Sequence, residues 1–243
     1  MPSPVIETIR NRWHPLWRVR KFRLAAGALR LVDRPIWGRI AEVEYPVRMY
    51  RISHAAYRTV QHGPEPETYA VLSRLPDGLF WDVGANFGFY SWLRGGGVMF
   101  EPDPRHADLI AATIRDNNLD GFELVRAAVT DRPGTVTFTQ DRPGGDRGSV
   151  SQHRGAAQRE VVVQAVRLDD RNEAPVVVKI DVEGHELAVL RGAEQTLQTH
   201  RPVVIVEARG VFEGTDQAVE ALLHDLGYRT TLLDGSNVLA EPA

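Results

Sequence analysis

Short runs of apolar residues alternate along this chain with segments in which apolar residues recur every three or four positions. The runs predict buried strands, and the periodic segments predict helices with one apolar face. Strands are expected at 79–83, 98–100, 122–130, 176–182 and 201–209, and helices at 66–75, 89–94, 104–117, 184–197 and 216–226. Repeated strand–helix units of this kind predict an α/β fold whose mostly parallel sheet is covered by helices on both faces.

Alternating apolar and polar residues predict further strands around this core. Residues 43–52 predict one strand of an N-terminal hairpin, and GYRTTLL and NVLAEP near the end predict an antiparallel edge. The strands TVTFTQ and REVVVQAV enclose a polar, glycine-rich stretch, 141–159, which we interpret as a lid, a substrate loop or a disordered segment. We therefore expect an N-terminal extension, 1–65, of helical segments and a strand, followed by a main domain, 66–243.

Composition narrows the classes of function. A net charge of −3 gives no support for nucleic acid as a bulk partner. The chain has no cysteine, which excludes disulfides and thiolate metal sites and fits a cytoplasmic location. No apolar run approaches membrane-spanning length, and charges interrupt the N-terminal segment where a secretory signal would be apolar.

Residues 1–39 form a basic zone with nine Lys and Arg residues against two acidic ones, so this zone carries +7 and the remaining chain −10. Ile6, Ile9, Trp13 and Leu16 have helical spacing, and a basic helix with tryptophan can lie on an anionic membrane surface. Alternatively, the helix packs on the acidic body of the protein, which is the interpretation we favour.

The stretch LFWDVGANFG, 79–88, joins a buried strand to a tight turn and a helix start. Small residues in such a turn let a ligand approach main-chain N–H groups, and Asn86 is the non-glycine residue type that best tolerates a left-handed conformation. A nicotinamide site places its acid after the second strand only. Here Asp82 also precedes the glycines, where it would repel a pyrophosphate but could hold the amino group of S-adenosylmethionine (SAM).

A second acid supports the SAM interpretation. Glu101 ends the strand VMF, and a carboxylate there can accept both ribose hydroxyls of an adenosine. This feature suits either cofactor, so a nicotinamide-dependent oxidoreductase remains an alternative. The two motifs predict as cofactor-binding residues Asp82, Gly84, Ala85, Asn86, Gly88, Glu101, Pro102 and Asp103.

Carboxylates also end the two later strands, at Asp181 and Glu207, and carboxyl ends of parallel strands form one edge of a sheet. For the chemistry we consider Asp181, Glu183, His185 and Glu207. His185 is the first candidate base because histidine titrates near neutrality, although it could equally be an ordinary helix-start histidine. Asp181 and Glu207 are hard oxygen ligands that could bind Mg²⁺, or Glu207 could bond substrate hydroxyls.

The chain resembles the FkbM family of SAM-dependent methyltransferases over about residues 66–233. The resemblance rests on WDVGANFGFYS, FEPDP, RAAVTDRPGTVTF, RLDD, VVVKIDVEGHELAVLRGA and RPVVIVE. It implies a Rossmann-like class I methyltransferase sheet and O-methylation of a hydroxyl on a carbohydrate-containing or polyketide-like acceptor. By the same resemblance, Asp82, Gly84, Asn86, Gly88 and Glu101 match SAM motifs, and Asp181, Glu183, His185 and Glu207 match the acceptor side.

Two features depart from related enzymes. The helix after Gly88 has room for only about two turns, and Ala127 and Ala128 stand where many SAM enzymes offer an acid to the adenine amino group. A non-catalytic SAM- or glycan-binding module is therefore a further alternative.

Overall fold

The computed structural model describes residues 33–59, 65–140, 149–150, 159–208, 215–233 and 236–243. The strands are β1 (Pro35–Gly38), β2 (Val47–Tyr50), β3 (Phe80–Val83), β4 (Gly97–Phe100), β5 (Phe122–Val125), β6 (Ala127–Val129), β7 (Gly134–Gln140), β8 (Arg159–Val166), β9 (Val177–Ile180), β10 (Val203–Glu207), β11 (Tyr228–Leu232) and β12 (Asn237–Pro242). The helices are α1 (Ala56–Thr59), α2 (Pro66–Leu72), α3 (Phe89–Arg94), α4 (Pro104–Asn117), α5 (Glu186–Arg191), α6 (Glu194–His200) and α7 (Thr215–Asp225).

Seven strands form the main sheet in the order β11-β12-β10-β9-β3-β4-β5. The pairings from β10 across to β5 are parallel, whereas β12 runs antiparallel to both β10 and β11. The mostly parallel sheet with an antiparallel edge is confirmed. Because β3, β4, β9 and β10 are parallel neighbours, their carboxyl ends meet along one rim.

Both faces of this sheet are buried, as the unbroken apolar strands require. Val189, Leu197 and Leu223, from α5, α6 and α7, lie in the core that covers the face carrying Trp81 and Val178. The opposite face carries Phe80 and Met99 and is covered by α2, α3, α4 and the β1–β2 hairpin. Met49 of β2 is fully buried in that second core, so the described part of the N-terminal extension is packed onto the sheet.

The hairpin is fixed to α4 by polar contacts as well. The main-chain N–H of Arg48 donates to Thr113 Oγ1 over 2.9 Å, and Asn117 Nδ2 donates to the carbonyl of Pro46 over 3.0 Å. The predicted strand at 43–52 is thus confirmed in its central part, 47–50, where it pairs antiparallel with β1.

The predicted strand 122–130 is two strands in different sheets. β5 pairs with β4, whereas β6 leaves the main sheet and joins a three-stranded sheet of order β6-β8-β7. The break falls at Arg126, which turns outward to pair with Asp108 over 2.8 Å. The polar side chain at this position separates the apolar pair 124–125 from the apolar residues 127–129, and the strand changes partners there.

The predicted helix 184–197 is also divided, into α5 and α6, at Gly192 and Ala193. A Cβ atom on Gly192 would lie 2.2 Å from the carbonyl oxygen of Thr130, so the chain packs there without room for a side chain. Asp169 then accepts from the main-chain N–H groups of Gln195 and Thr196, which satisfies the start of a second helix. The helical periodicity of 184–197 is correct, but it does not predict that Asp169, from an earlier segment of the chain, starts a second helix.

Three predicted features lie outside the described residues. These are the basic helix within 1–32, most of the stretch 141–159, and residue 209, the last of the predicted strand 201–209. Within the described ranges, none of the helices combines the length and the hydropathy needed to cross a membrane.

Candidate active site

The loop after β3 approaches the end of β9 so closely that only glycine fits between them. Gly84 has φ of +81°, and a Cβ atom there would lie 1.8 Å from the carbonyl oxygen of Asp181. The N–H groups of Gly84 and Ala85 both donate to the carbonyl of Phe100, which ties the loop to β4. Asn86 has φ of +54°, so its predicted left-handed conformation is confirmed.

Glu101 is held at the end of β4 by main-chain donors. Its two carboxylate oxygens accept from the N–H groups of Asn86 and Asp103, each over 2.7 Å. The side chain is only 4% exposed, and this burial raises the pKa of Glu101 to about 8. Since a carboxylate oxygen can accept more than one hydrogen bond, both oxygens keep capacity for ribose hydroxyls.

Asp82 lies beside Glu101 at the end of β3. It is buried and accepts one hydrogen bond from Ser91 Oγ over 2.8 Å. Burial raises the pKa of Asp82 to about 6, and the nearby charge of Lys179 limits the rise. A buried carboxylate of this kind is stabilised by a cationic ligand group, so the residue fits the amino group of SAM.

A cleft runs along the rim formed by β3, β4, β9 and β10. Its lining includes six of the eight predicted cofactor residues, namely Asp82, Gly84, Ala85, Asn86, Glu101 and Pro102. Gly88 and Asp103 are not among the residues that line it. Asp103 instead caps α4, pairs with Arg105 and accepts from Gln140 Nε2, so its carboxylate is used within the protein.

One end of the cleft is apolar. Ala127, Ala128, Val129, Phe138 and Val150 line it, and no acid takes the place of the two alanines among these residues. Such a pocket fits an adenine ring by its flat apolar faces. The split of the predicted strand at Arg126 is what carries β6 to this position.

The opposite end of the cleft is lined by carboxylates that the register of the sheet aligns. Asp181 follows Ile180, which pairs with Val206, and Glu207 in turn pairs with Asn237 across β12. Asp181 and Glu207 are hydrogen-bonded to each other, and Ser236 Oγ donates to Glu207 Oε1 over 2.9 Å. The structure thus brings these two predicted residues together.

A buried lysine sets the charge of this pair. Lys179 Nζ lies 2.9 Å from Asp181 Oδ2 and 4.7 Å from the centre of the Tyr90 ring. Burial disfavours an ionised Asp181, but the charge of Lys179 and the hydrogen bonds from Glu207 and Lys179 together outweigh burial and lower the pKa of Asp181. Burial and the neighbouring Asp181 charge raise the pKa of Glu207 to about 9. These opposite shifts favour the ionised form of Asp181 and the protonated form of Glu207.

Glu183 also lines the cleft, in a turn where its φ is +53°. Oxygen atoms of Asp181, Glu183 and Glu207 lie within 4.8 Å of one another, a spacing that suits a metal ion. Lys179 already supplies a counter-charge to Asp181. Mg²⁺ at this cluster stays a prediction.

His185 lies just outside the cleft. It stands at the start of α5, and its Nε2 is 3.1 Å from Thr130 Oγ1. Burial lowers the pKa of His185, and nearby Asp131 opposes this shift. The residue is not among those that line the cleft, so the structure does not bring it together with the three carboxylates, and its role as a base stays a prediction.

Tyr57, Glu65 and Tyr90 are among the lining residues that sequence reasoning did not assign to the site. Lys179 also lines the cleft. Its place two positions before Asp181 puts both side chains on one face of an extended chain, so the sequence itself indicates that Lys179 could face the site or neutralise the carboxylates around it. Nothing in the sequence marks Tyr90 as a site residue except that it lies in α3, the helix that follows the cofactor turn. Tyr57 and Glu65 belong to the N-terminal extension, where neither motif nor spacing marks them as site residues.

A model of the methyltransferase FkbM domain matches residues 82–230, which is more than half of the chain. Among curated proteins, the hexuronic acid methyltransferase AglP of Haloferax volcanii is 28% identical over 144 residues. That alignment covers 56% of this chain and 58% of the relative, so the chain spans little more than half of the relative's length.

Solved structures of methyltransferases are similar in fold. A methyltransferase FkbM from Methylobacillus flagellatus KT is 18% identical, with a TM-score of 0.47 over 67% of this chain and 43% of that chain. Magnesium protoporphyrin IX methyltransferase from Synechocystis PCC 6803 is 12% identical, with a TM-score of 0.45 over 72% and 76%.

Proposed function

This chain belongs to the FkbM family of methyltransferases, and on that premise we propose that it methylates a hydroxyl group of a carbohydrate-containing acceptor. The coarser assignment, a SAM-dependent methyltransferase, follows from the family. The choice of a hydroxyl and of a sugar is the proposal. It is carried by one observation: the carboxyl pair of Asp181 and Glu207 lines the same cleft as the turn after β3, and Gly84 of that turn packs against the main chain of Asp181.

Three groups of this chain would hold SAM. Glu101 would accept hydrogen bonds from the ribose hydroxyls, and Asp82 would accept them from the amino group. The apolar end of the cleft formed by Ala127 and Ala128 would bind the adenine ring. When bound, SAM supplies an electrophilic methyl group on a sulfonium. The nicotinamide alternative is set aside because the family model that matches is that of a methyltransferase.

Asp181 is the base in this proposal, because it is the ionised member of the carboxyl pair. The acceptor hydroxyl donates a hydrogen bond to Asp181, which aims its oxygen into the cleft. Asp181 would take the hydroxyl proton as the new O–CH₃ bond replaced the S–CH₃ bond of SAM, so the products would be a methyl ether and a thioether without the sulfonium charge. Lys179 keeps Asp181 ionised beforehand, and Glu207 shares the negative charge by donating its proton in a hydrogen bond.

A sugar acceptor is supported by two facts. The cleft offers several carboxylates, which accept hydrogen bonds from hydroxyl groups, together with aromatic side chains. A relative over 144 residues is named as a methyltransferase of hexuronic acid, itself a sugar derivative.

The test compares Asp181→Asn with His185→Ala. Asp181→Asn is expected to reduce the turnover number for methyl transfer to a glycoside by about 10²- to 10⁴-fold, the usual contribution of a general base. Its affinity for S-adenosylhomocysteine should change less than threefold. Because Asp181→Asn leaves the buried Lys179 unpaired, the double variant Lys179→Met/Asp181→Asn provides a version without that unpaired charge.

His185→Ala is expected to retain turnover within about threefold, since His185 does not line the cleft. If His185→Ala loses turnover as Asp181→Asn does, the base is His185 and the assignment to Asp181 is wrong. If the wild-type chain binds S-adenosylhomocysteine but transfers to none of a broad acceptor set, the non-catalytic module becomes the better interpretation.

A further inference from the structure

Part of the cleft wall comes from residues that precede the family domain. The family match begins at residue 82, whereas Tyr57 and Glu65 line the cleft from the preceding extension. They lie in the same wall as Phe87, Phe89 and Tyr90, and the pair of Asp181 and Glu207 lies across the rim.

Glu65 is joined to the polar network of the rim. It stands at the N-terminal end of α2, and its carboxylate accepts a short hydrogen bond from the hydroxyl of Tyr90. Tyr90 lies over the ammonium of Lys179, whose pKa is raised in part by the Glu65 charge. The carboxylate of Glu65 therefore lies near the group that sets the charge of Asp181.

Tyr57 presents an aromatic ring at the same wall. Its ring centre lies 4.9 Å from that of Phe87 and 4.6 Å from that of Phe89. Phe87 and Phe89 are 1% and 3% exposed, whereas Tyr57 is only partly buried. His54 stacks on Phe87 at 4.1 Å, so the cluster is supported from behind. Of these rings, Tyr57 has the largest exposed fraction, so it offers a ligand the most surface.

The wall rests on well-fixed elements. Arg94 of α3 donates to the carbonyls of Leu72, Leu75 and Pro76, which fixes the end of α2. Asp33 accepts from the N–H groups of Ile52 and Ser53, which fixes the turn that leads to α1. Tyr57 and Glu65 are thus held at fixed positions relative to the rim.

A pyranose ring has one surface of C–H groups and an edge of hydroxyls. An aromatic ring next to a carboxylate matches both features, the first by apolar contact and the second by hydrogen bonding. We propose that Tyr57 and Glu65 select the acceptor, with the sugar ring against Tyr57 and one of its hydroxyls donating to Glu65. This inference rests on the proposed sugar acceptor and adds where the acceptor lies and which chemistry is accepted there.

The charge of the wall then predicts a preference among sugars. Besides Glu207, whose pKa is raised, the cleft is lined at this end by the carboxylates of Glu65, Asp181 and Glu183, and Lys179 is the one Lys or Arg residue among the described lining residues. A neutral sugar or an amino sugar is favoured at this wall, and a uronate is disfavoured by like charge.

The experiment measures methyl transfer from SAM to three p-nitrophenyl glycosides: a neutral hexoside, a 2-amino-2-deoxyhexoside and a hexuronide. Tyr57→Ala and Glu65→Gln should each raise KM for the neutral hexoside by about tenfold, with kcat changed less than threefold, because both remove binding contacts. Tyr57→Phe, which keeps the ring, should behave as the wild type. Glu65→Gln should also narrow the gap between hexuronide and neutral hexoside by about tenfold, since it removes one repelling charge.

Matched controls come from the same extension and helix. Trp37→Ala removes an exposed ring of β1, and Glu67→Gln removes an exposed carboxylate of α2, and neither residue lines the cleft. Both should leave KM unchanged. Affinity for S-adenosylhomocysteine, measured by calorimetry, should stay within threefold for every variant.

Three results would overturn the inference in different ways. If Tyr57→Ala weakens S-adenosylhomocysteine binding more than tenfold, the wall serves the cofactor. If the wild type methylates a glycoside and the variants keep its KM, the acceptor lies elsewhere while the proposed function stands. If the wild type methylates none of the three glycosides, the proposed sugar acceptor fails, and the inference fails with it.

Discussion

The rim has a proposed cofactor half, around Glu101, and a proposed acceptor half, around Asp181 and Glu207, and these carboxylates are held in different ways. On the cofactor half, Glu101 is fixed by two main-chain N–H groups, and the turn around it is fixed by main-chain bonds to Phe100. On the acceptor half, Asp181 and Glu207 are fixed by side chains, namely Lys179, Ser236 and each other. The first arrangement follows from local backbone geometry, whereas the second depends on residues that meet only in the folded chain.

This difference decides how each half tolerates change. A site held by main-chain donors keeps its geometry when neighbouring side chains vary, so one position can bind the same cofactor throughout a family. A site held by side-chain pairs changes its charge and its proton count with each substitution. The acceptor half is therefore where new specificity is expected to arise.

Gly84→Ala should disturb both halves of the rim, and it is expected to have the largest effect of the variants considered. The added Cβ would lie 1.8 Å from the Asp181 carbonyl in a residue with φ of +81°, so the loop and β9 must separate. We expect a loss of more than about 3 kcal/mol in the free energy of unfolding, measured by urea denaturation.

Gly95→Ala is the matched control for that variant. Gly95 has φ of +74° but no other atom within 4 Å of an added Cβ, so only the cost of a left-handed alanine applies. That cost is about 1–2 kcal/mol. If both variants lose the same free energy of unfolding, the close approach of the loop to the end of β9 does not add to the cost of Gly84→Ala.

The pH dependence of cofactor binding sharpens the comparison. Because burial raises the pKa of Glu101 to about 8, part of the protein carries a neutral Glu101 at pH 7, and binding to ribose hydroxyls favours the ionised form. S-adenosylhomocysteine should bind more tightly as pH rises from 6 to 8.5, by up to about tenfold per pH unit below the pKa. Calorimetry in two buffers should also detect proton release.

The controls for this prediction come from both halves. Glu101→Gln should flatten the dependence, although Asp82, with a pKa raised to about 6, still contributes at the acidic end. Glu207→Gln should leave it unchanged. In the unliganded chain Glu101 binds its proton more tightly when folded than when unfolded, so its contribution to stability falls between about pH 4.5 and 8. An affinity independent of pH would contradict the assignment of Glu101.

The smallest expected effect concerns Asn237, which pairs with Glu207 across the two strands β12 and β10 of the acceptor half. It is 1% exposed, and neither atom of its amide has a hydrogen-bond partner in the described structure. An unsatisfied buried amide destabilises the fold, so Asn237→Leu should stabilise it by about 1 kcal/mol, a rise of roughly 2–4 °C in Tm.

Asn117→Leu provides the opposite case. The amide of Asn117 donates to the carbonyls of Pro46 and Thr113, so its loss should destabilise the protein by about 1 kcal/mol. If Asn237→Leu lowers the Tm as Asn117→Leu does, the amide of Asn237 is satisfied by a group beyond the described residues. Thermal unfolding of both variants against the wild type decides between these outcomes.

The sequence predicted the central sheet because apolar strands and glycine turns are local signals. It placed Asp82, Asn86 and Glu101 correctly on the cleft for the same reason. It could not place His185 off the cleft, because the rotation of the turn at Glu183 and Gly184 depends on left-handed conformations at both residues. Nor could it find Tyr57 and Glu65, whose place in the wall depends on how the extension packs against α3 and α4.

The order of strands at the edge of the sheet has a consequence for synthesis of the chain. β11 is made before β12, yet β12 lies between β11 and β10 in the sheet. Until β12 leaves the ribosome, β10 has an open edge whose residues Val204, Ile205 and Val206 are wholly buried in the final fold. An apolar open edge of this kind pairs readily with other chains. The nascent protein is therefore expected to depend on chaperone protection until β12 has emerged.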